Sequence, residues 1–476
     1  MKYERVLITG NFNVLHHGHF RLFKFAKELS KKLVIGVFSD NLAGDSIFVN
    51  ENDRLNSLKS IELVDEVLLI KSSVQDFIKK IRPDAVIKGK EYESKFNIEE
   101  EVIHSIGSKL IFSSGSFDYS EDFIKNISSK KYDFPEDFIQ RYSINKTNLY
   151  NSLDLLNTIN LCVIGDIIVD EYNNCKPVGL SQEDSSVVVT ITDKVMQIGG
   201  AGIVASHGAS LGATVDFYSI TGKDKLNRFT TSILKKNAVN STIIIDDERP
   251  TTLKQKYLAG LNTMFKVNRF VNTDIDIKFQ RKLYESIKKN IKKYDYLIFS
   301  DFNYGCLPVT LVKKIIDLCK KNNVLMSADS QSSSQIGNLA KFIGVDFVFC
   351  TENEARLTVS DFDNGIVTIL EKLHKLIKTK NIFLKLGAEG LIISSRVGRK
   401  FRTEKLTAFN KSPINVSGAG DSMLIATSLF YFFSKNLYES AFIGSIAAAI
   451  QISRIGNIPI KISELKAGIN QTNYFD

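Results

Sequence analysis

Five short apolar runs punctuate the first 127 residues: Val6-Leu7-Ile8, Leu33-Val34-Ile35-Gly36-Val37, Val67-Leu68-Leu69-Ile70, Ala85-Val86-Ile87 and Leu110-Ile111-Phe112. Each is too short for a helix and is continuous rather than alternating, the pattern of a strand buried on both faces. The stretches between them follow the helical period; Leu22, Phe25, Ala26 and Leu29 share one face of the first. Strand and helix in alternation predict a doubly wound parallel sheet. Ser128-Ser129-Lys130-Lys131 and Pro135 then break the pattern. A first domain is therefore expected over 1–131 and a linker over 132–158, the linker carrying an amphipathic segment with Leu149, Leu153 and Leu156 on one face.

A second α/β domain is expected over 159–476. It opens with Leu161-Cys162-Val163-Ile164, and its later strands are Tyr296-Leu297-Ile298-Phe299, Val324-Leu325-Met326 and Ile382-Phe383-Leu384. Val187-Val188-Val189-Thr190-Ile191 is β-branched and extended, which predicts a small sheet outside the main core. Met423 to Phe433 and Ala441 to Ile452 are apolar but interrupted by polar residues and short of a membrane span; they read as buried helices.

Composition adds limits rather than direction. With 476 residues, 43% hydrophobic and 24% charged, the chain has the profile of a globular protein of two or three domains. A net charge of +9 suits anionic substrates. No basic patch interleaved with aromatics occurs, so neither a nucleic-acid partner nor a membrane is expected. The five cysteines are odd in number and widely spaced, with no C-x-x-C pair, and the start lacks the apolar core of a signal peptide. A reducing, cytoplasmic setting is the expectation.

Chemistry concentrates at two places. Gly10 to His19 follows the first predicted strand and precedes the first helix, and three of the six histidines (His16, His17, His19) fall in its last four positions. His16 and His19, three apart, share a face on an incipient helical turn. Gly10 and Gly18 allow close backbone approach, and a helix N-terminus attracts phosphate. Such an assembly can stabilise charge building on a phosphoryl group. The second place is Val416-Ser417-Gly418-Ala419-Gly420-Asp421-Ser422, ahead of an apolar helix. Gly418, Ala419 and Gly420 let backbone N–H groups converge on a phosphoryl group, and Asp421 can either accept the proton of a hydroxyl or serve as a helix cap. No G-x-x-x-x-G-K-[ST] loop occurs. His104, His207 and His374 are isolated and read as structural or surface residues.

The His16-x-Gly18-His19 motif, with Ser39-Asp40, Arg54, Val64-Asp65 and Lys88-Gly89-Lys90-Glu91-Tyr92, resembles the cytidylyltransferase-like nucleotidyltransferases over the whole first domain, closest to the heptose 1-phosphate adenylyltransferase branch. The resemblance implies a Rossmann-like domain in which His16 and His19 are catalytic and Gly10, Phe12, Gly18, Arg54, Lys88 and Ser120 bind the nucleotide. Asn13 stands where that family commonly has an acid, and its hydroxyl-rich helix start is reduced to Tyr119-Ser120-Glu121-Asp122.

From about 160 to 470 the chain resembles the ribokinase-like PfkB carbohydrate kinases. Their two signatures occur in order, Gly199-Gly200-Ala201-Gly202 and Gly418-Ala419-Gly420-Asp421. Gly165-Asp166, Asp170, Thr221-Gly222-Lys223-Asp224, Ser300-Asp301 and Asp329-Ser330 lie between them. This implies a ribokinase-like α/β kinase with a small β-lid, Asp421 as base and the glycine-rich turn as anion hole. Asp166, Asp170, Gly199 and Gly200 would bind the sugar, and Glu354 would organise Mg2+ through water. An alternative register places Asn353 and Arg356 in that metal motif. Ile203 and Asn415 depart from the family pattern.

The fusion is similar to the bifunctional enzymes of ADP-heptose synthesis, in reversed order. It implies a kinase acting on heptose 7-phosphate at C1 and a nucleotidyltransferase joining a sugar 1-phosphate to AMP from ATP, with a homodimer formed through the lid. Another sugar, CTP in place of ATP, or one half kept only as a binding or scaffolding module are the alternatives.

Overall fold

The computed structural model divides the chain into two compact units, Met1–Lys130 and Lys131–Asp476. It describes residues 2–472 except 14, 16, 44–48, 60, 62, 90–91, 94–96, 114–131, 185, 260–261, 333–336, 399 and 455.

The five apolar runs of the first unit are strands β1 (Tyr3–Gly10), β2 (Ser30–Phe38), β3 (Glu66–Ile70), β4 (Ala85–Lys88) and β5 (Lys109–Phe112). They form one parallel sheet in the order β3-β2-β1-β4-β5. Alternate residues feed two cores: Val6, Ile8, Leu33 and Ile35 pack on one face, and Leu7, Val34 and Val86 on the other. The strand order reverses between β1 and β4, and the crevice at the carboxyl ends of strands flanking such a reversal is where ligands of open α/β sheets bind.

The second unit contains β6 (Asn160–Gly165), β7 (Ile167–Leu180), β8 (Val187–Gly200), β9 (Thr214–Gly222), β10 (Asn240–Asp246), β11 (Thr252–Ala259), β12 (Asn262–Arg269), β13 (Tyr296–Asp301), β14 (Leu325–Ser330), β15 (Phe347–Thr351), β16 (Asn381–Lys385), β17 (Leu391–Val397) and β18 (Lys400–Leu406). Nine make the main sheet, β10-β9-β6-β13-β14-β15-β16-β17-β18. It is parallel through β16, and β17 and β18 close its edge antiparallel. The small sheet expected around Val187 is a four-stranded lid, β12-β11-β7-β8. Helices Ala419–Ser434 and Leu437–Ile452 are the two apolar segments, buried over most of their lengths. Among the described residues no helix is long and apolar enough to cross a membrane. All five cysteines are buried and unpaired.

The expectation of a linker over 132–158 is corrected. Helices Glu136–Arg141 and Lys146–Asp154 form there, and Phe134, Phe138, Ile139, Ile144, Leu149, Leu153 and Leu156 are buried in the main core of the second unit. Phe134 meets Phe409 and Phe442 at ring separations of 4.9 and 5.6 Å, and Tyr142 stacks on Tyr438 at 3.6 Å. The amphipathic face read in the sequence is real, and its partner is the main core of the second unit. Breaks at Ser128–Lys131 and Pro135 mark where the unit begins, not where a spacer runs.

Candidate functional site

In the first unit the loop after β1 brings the predicted residues to the strand reversal. Gly10 ends β1, and a Cβ there would stand 3.0 Å from the Phe12 ring. Phe12 is buried at φ +52°, a left-handed conformation that a bulky residue adopts only when its surroundings impose it. His19, in the first turn of helix His17–Leu29, meets Phe12 edge-on at 5.2 Å and stacks on Phe23 at 6.2 Å. Aromatic packing thus fixes its imidazole beside the end of β1. Gly18 lies in the same helical turn, whereas His16 and Ser120 fall outside the described residues. Lys88 ends β4, pairs with the buried Glu99 carboxylate and lies 4.8 Å from the Tyr92 ring. Arg54 is fully enclosed: it donates to Asn11 O at 2.7 Å, Val49 O at 2.8 Å and Asp40 Oδ1 at 2.6 Å, tying three loop segments together.

In the second unit acidic residues gather at the carboxyl ends of β6, β13 and β14. Asp166 is buried directly after β6 and accepts from the backbone N–H of Phe302 (2.9 Å), Tyr304 (3.3 Å) and Cys306 (3.1 Å). Burial and neighbouring Asp301 push its carboxyl up to about 6. It braces a loop. Asp170, four residues on in lid strand β7, accepts from Asn457 Nδ2 at 3.1 Å, and burial raises its pKa against the pull of Lys256 and Lys254. Gly199 makes this approach possible, because a Cβ there would stand 2.2 Å from Asp170 Oδ2. Gly200, at φ +60°, lies against Asp166 O, 2.4 Å from its would-be Cβ.

Asp421 sits in the first turn of helix Ala419–Ser434, which Gly418 opens at φ +80°. It is buried, accepts from Gln331 Nε2 at 3.1 Å, and is pushed up to about 7 by burial and by Asp329. Such a carboxyl can exchange a proton with a hydroxyl near neutral pH. Gly418, Ala419, Gly420 and Asp421 line a cleft of ≈ 390 Å³ with Lys385, Gln331 and Glu354. Glu354 caps its helix: Oε2 accepts from Thr351 N at 2.7 Å and Oε1 from Ser332 N at 2.8 Å, and Thr351 returns the capping contact. Arg356 turns instead to Glu352 and the Asn364 carbonyl, so the alternative register does not reach the cleft. Asp329 accepts from Lys385 at 2.7 Å through Oδ2, while its Oδ1 has no partner among the described residues; its carboxyl is raised to about 6 by burial.

Reading the sequence missed Lys385, Gln331, Asn457, Lys254 and Lys256. None sits in a motif. Lys254 and Lys256 carry the one available signal, two cations at the strand period in a polar lid strand. The isolated histidines are structural or exposed. His207 is buried and accepts from Ile460 N at 3.1 Å, His374 is bonded at both ring nitrogens, and His104 is exposed.

Residues 7–132 match the cytidylyltransferase-like family model, and residues 158–463 that of the pfkB family carbohydrate kinases. Similar curated proteins include the bifunctional protein HldE of Aliarcobacter butzleri, 25% identical over 64% of this chain and 63% of that protein. HldE of Helicobacter acinonychis is 27% identical over 66% of this chain and 67% of that one. The chain thus spans under two thirds of the length of the first of these relatives. Ribokinase from Giardia lamblia shares the fold of the larger unit, with a TM-score of 0.54 at 16% identity over 66% of this chain and 99% of the ribokinase. With the kinase model running over more than half of the sequence, from the first strand of the main sheet past the Asp421 helix, the chain belongs to the pfkB family of carbohydrate kinases.

Proposed function

We propose that the chain is a two-headed enzyme of nucleotide-sugar synthesis, acting in the cytoplasm. Its second unit phosphorylates heptose 7-phosphate at C1. Its first unit joins a heptose 1-phosphate to AMP from ATP, after a separate phosphatase has removed the 7-phosphate. The observation that carries the kinase reading is Asp421, raised to about 7 and buried beside the Gly418–Gly420 turn at the mouth of the cleft. Asp421 takes the proton of the C1 hydroxyl as its oxygen bonds to the γ-phosphorus; the bond to the β,γ-bridging oxygen breaks and ADP leaves. Asp170, framed by Gly199 and held by Asn457, orients the sugar. Asp166 acts indirectly, by bracing the 302–306 loop.

Mg2+ is expected with the ATP. Among the described residues no three carboxylates, histidines or cysteines cluster to ligate it directly. The partnerless Asp329 Oδ1 and the neighbouring Glu354 fit a hydrated ion held through water. Bound there, the ion neutralises charge on the nucleotide phosphates.

An acceptor that already carries a phosphate suits the lid. Lys254 and Lys256 project from one face of β11, paired in register with Asp170 and Tyr172 of β7, and Lys256 reaches Ser417 Oγ at 3.3 Å. Replacing both with Ala is expected to lower kcat/KM for heptose 7-phosphate by 10-fold or more relative to the unphosphorylated sugar, on the scale of a lost charged hydrogen bond. An unchanged ratio would remove the phosphate-binding role. Exposed Val178, Val187, Val188, Ile191, Phe265 and Val267 on the lid support a homodimer through this sheet, which sedimentation of wild type against a lid-surface variant tests.

In the first unit, His19→Ala is expected to slow pyrophosphate release by roughly 100-fold while kinase turnover stays the same. Unaltered release would exclude His19 from the chemistry. The overall reading is tested by mass spectrometry of products from heptose 7-phosphate with ATP, and from sugar 1-phosphates with ATP or CTP. Failure to form a sugar bisphosphate overturns the kinase assignment.

A further inference from the structure

Lys385 is the last residue of β16, where the parallel part of the main sheet ends. Its side chain is largely enclosed yet lines the cleft beside Asp421. The amine donates to Asp329 Oδ2 at 2.7 Å, its one hydrogen-bond partner among the described residues, so two of its three N–H directions remain available. A Cβ built on Gly420 would stand 3.3 Å from Nζ. The ammonium therefore rests against the bare backbone of the turn that lines the cleft. A glycine at 420 and a lysine at 385 are spatially matched, since any side chain at 420 would crowd the amine.

We propose that Lys385 contacts the transferring phosphoryl group and supplies a full positive charge beside the partial charges of the Gly418–Gly420 backbone. This rests on the kinase reading and adds a catalytic residue to it. Charge in phosphoryl transfer spreads over the equatorial oxygens, so a fixed cation next to the helix N-terminus stabilises the transition state more than the ground state. Asp329 fixes the amine in one rotamer, so it need not reorganise as the reaction proceeds. The γ-phosphate is the natural target, because the amine adjoins the first helical turn, as does the proposed base.

The test uses the full-length chain with Lys385→Gln, which keeps a hydrogen bond to Asp329 without the charge, and with Lys385→Met and Lys385→Arg. Sugar phosphorylation is measured alongside the affinities for ADP and for the non-hydrolysable β,γ-imido analogue of ATP. Lys385→Gln is expected to lower kcat by roughly 100- to 1,000-fold. Its preference for the triphosphate analogue over ADP should fall about 10-fold or more, with part of both losses recovered by Lys385→Arg. If Lys385 only neutralises Asp329, both nucleotides weaken together and the ratio stays put; that outcome, or a folded Lys385→Gln or Lys385→Met protein with kcat within a few-fold of wild type, overturns the proposal. A wild-type protein that binds both nucleotides yet phosphorylates no sugar removes the kinase reading while the affinity ratio still judges Lys385. Binding of neither nucleotide by wild type overturns both.

Discussion

Asp421→Asn is expected to leave a folded protein that phosphorylates sugar 100- to 10,000-fold more slowly, with nucleotidyl transfer intact. That range is the typical effect of losing a positioned base. The fold survives because Asn is nearly isosteric and can still accept from Gln331, which contacts Oδ1 at 3.1 Å. The variant is also expected to be more stable than wild type above pH 7. Burial and Asp329 raise the Asp421 carboxyl from 3.8 to about 7, so between those values the folded state binds a proton that the unfolded chain has released. Stability is therefore lost progressively as pH rises from about 4 to 7, by on the order of 2–4 kcal/mol for this one group, and is regained when the charge is removed. As the proposed base, the same group is expected to set the pH dependence of sugar phosphorylation, with kcat/KM for the sugar falling as pH drops below about 7. Calorimetry and a pH–rate profile of the two proteins check both directions. A near-wild-type rate in Asp421→Asn would reduce the residue to a helix cap.

Removing residues 132–158 is expected to have the second large effect. A fragment of 132–476 should be soluble and active as a kinase, whereas 159–476 should aggregate or lose at least 10-fold in soluble yield. Phe134, Phe138, Leu149, Leu153 and Leu156 are buried, and a buried side chain of this size contributes about 1.5–3 kcal/mol relative to an exposed one. Their loss uncovers Phe409, Phe442 and Tyr438 as a contiguous apolar patch. Fragment 1–131 should retain nucleotidyl transfer alone. Equal thermal stability of the two kinase fragments would show that the 132–158 helices contribute nothing to the core.

All five strands of the first unit, and β6, β13, β14 and β16 of the main sheet, were legible because burial on two faces leaves continuous apolar runs, whereas the parallel strands β9, β10 and β15 were not singled out. The edge strands β17 and β18 and the lid strand β11 were not. Their sequences, such as Lys400-Phe401-Arg402-Thr403-Glu404-Lys405-Leu406, are largely polar, and only pairing with a neighbour makes them strands. The linker expectation failed for a related reason: an amphipathic face states that a partner exists without naming it. In the sites, local motifs led to His19, Gly418 and Asp421. Sequence could not tell that Arg54 spends its donors on two backbone carbonyls and the Asp40 carboxylate, or that Asp166 spends its oxygens on backbone N–H groups. Nor could it place Lys385 beside Gly420, since that proximity arises only when β16 and the Asp421 helix are brought together in the fold.

On the proposed kinase reading, the acceptor pocket is assembled from two sheets. Asp421, Gln331 and Lys385 belong to the main sheet and its helices, while Asp170, Lys254 and Lys256 belong to the lid, joined to that sheet at Asp166 and at Gly199-Gly200. A sugar phosphate is large enough to touch both sets at once; a water molecule is not. On the proposed kinase reading, a water molecule is too small to reach Asp421 and the lid side chains together, so it would not be held in line with the γ-phosphorus. On that reading the two-sheet construction is expected to favour transfer to sugar over wasteful hydrolysis of ATP, because only an acceptor that bridges the two sheets would be held in the attacking position.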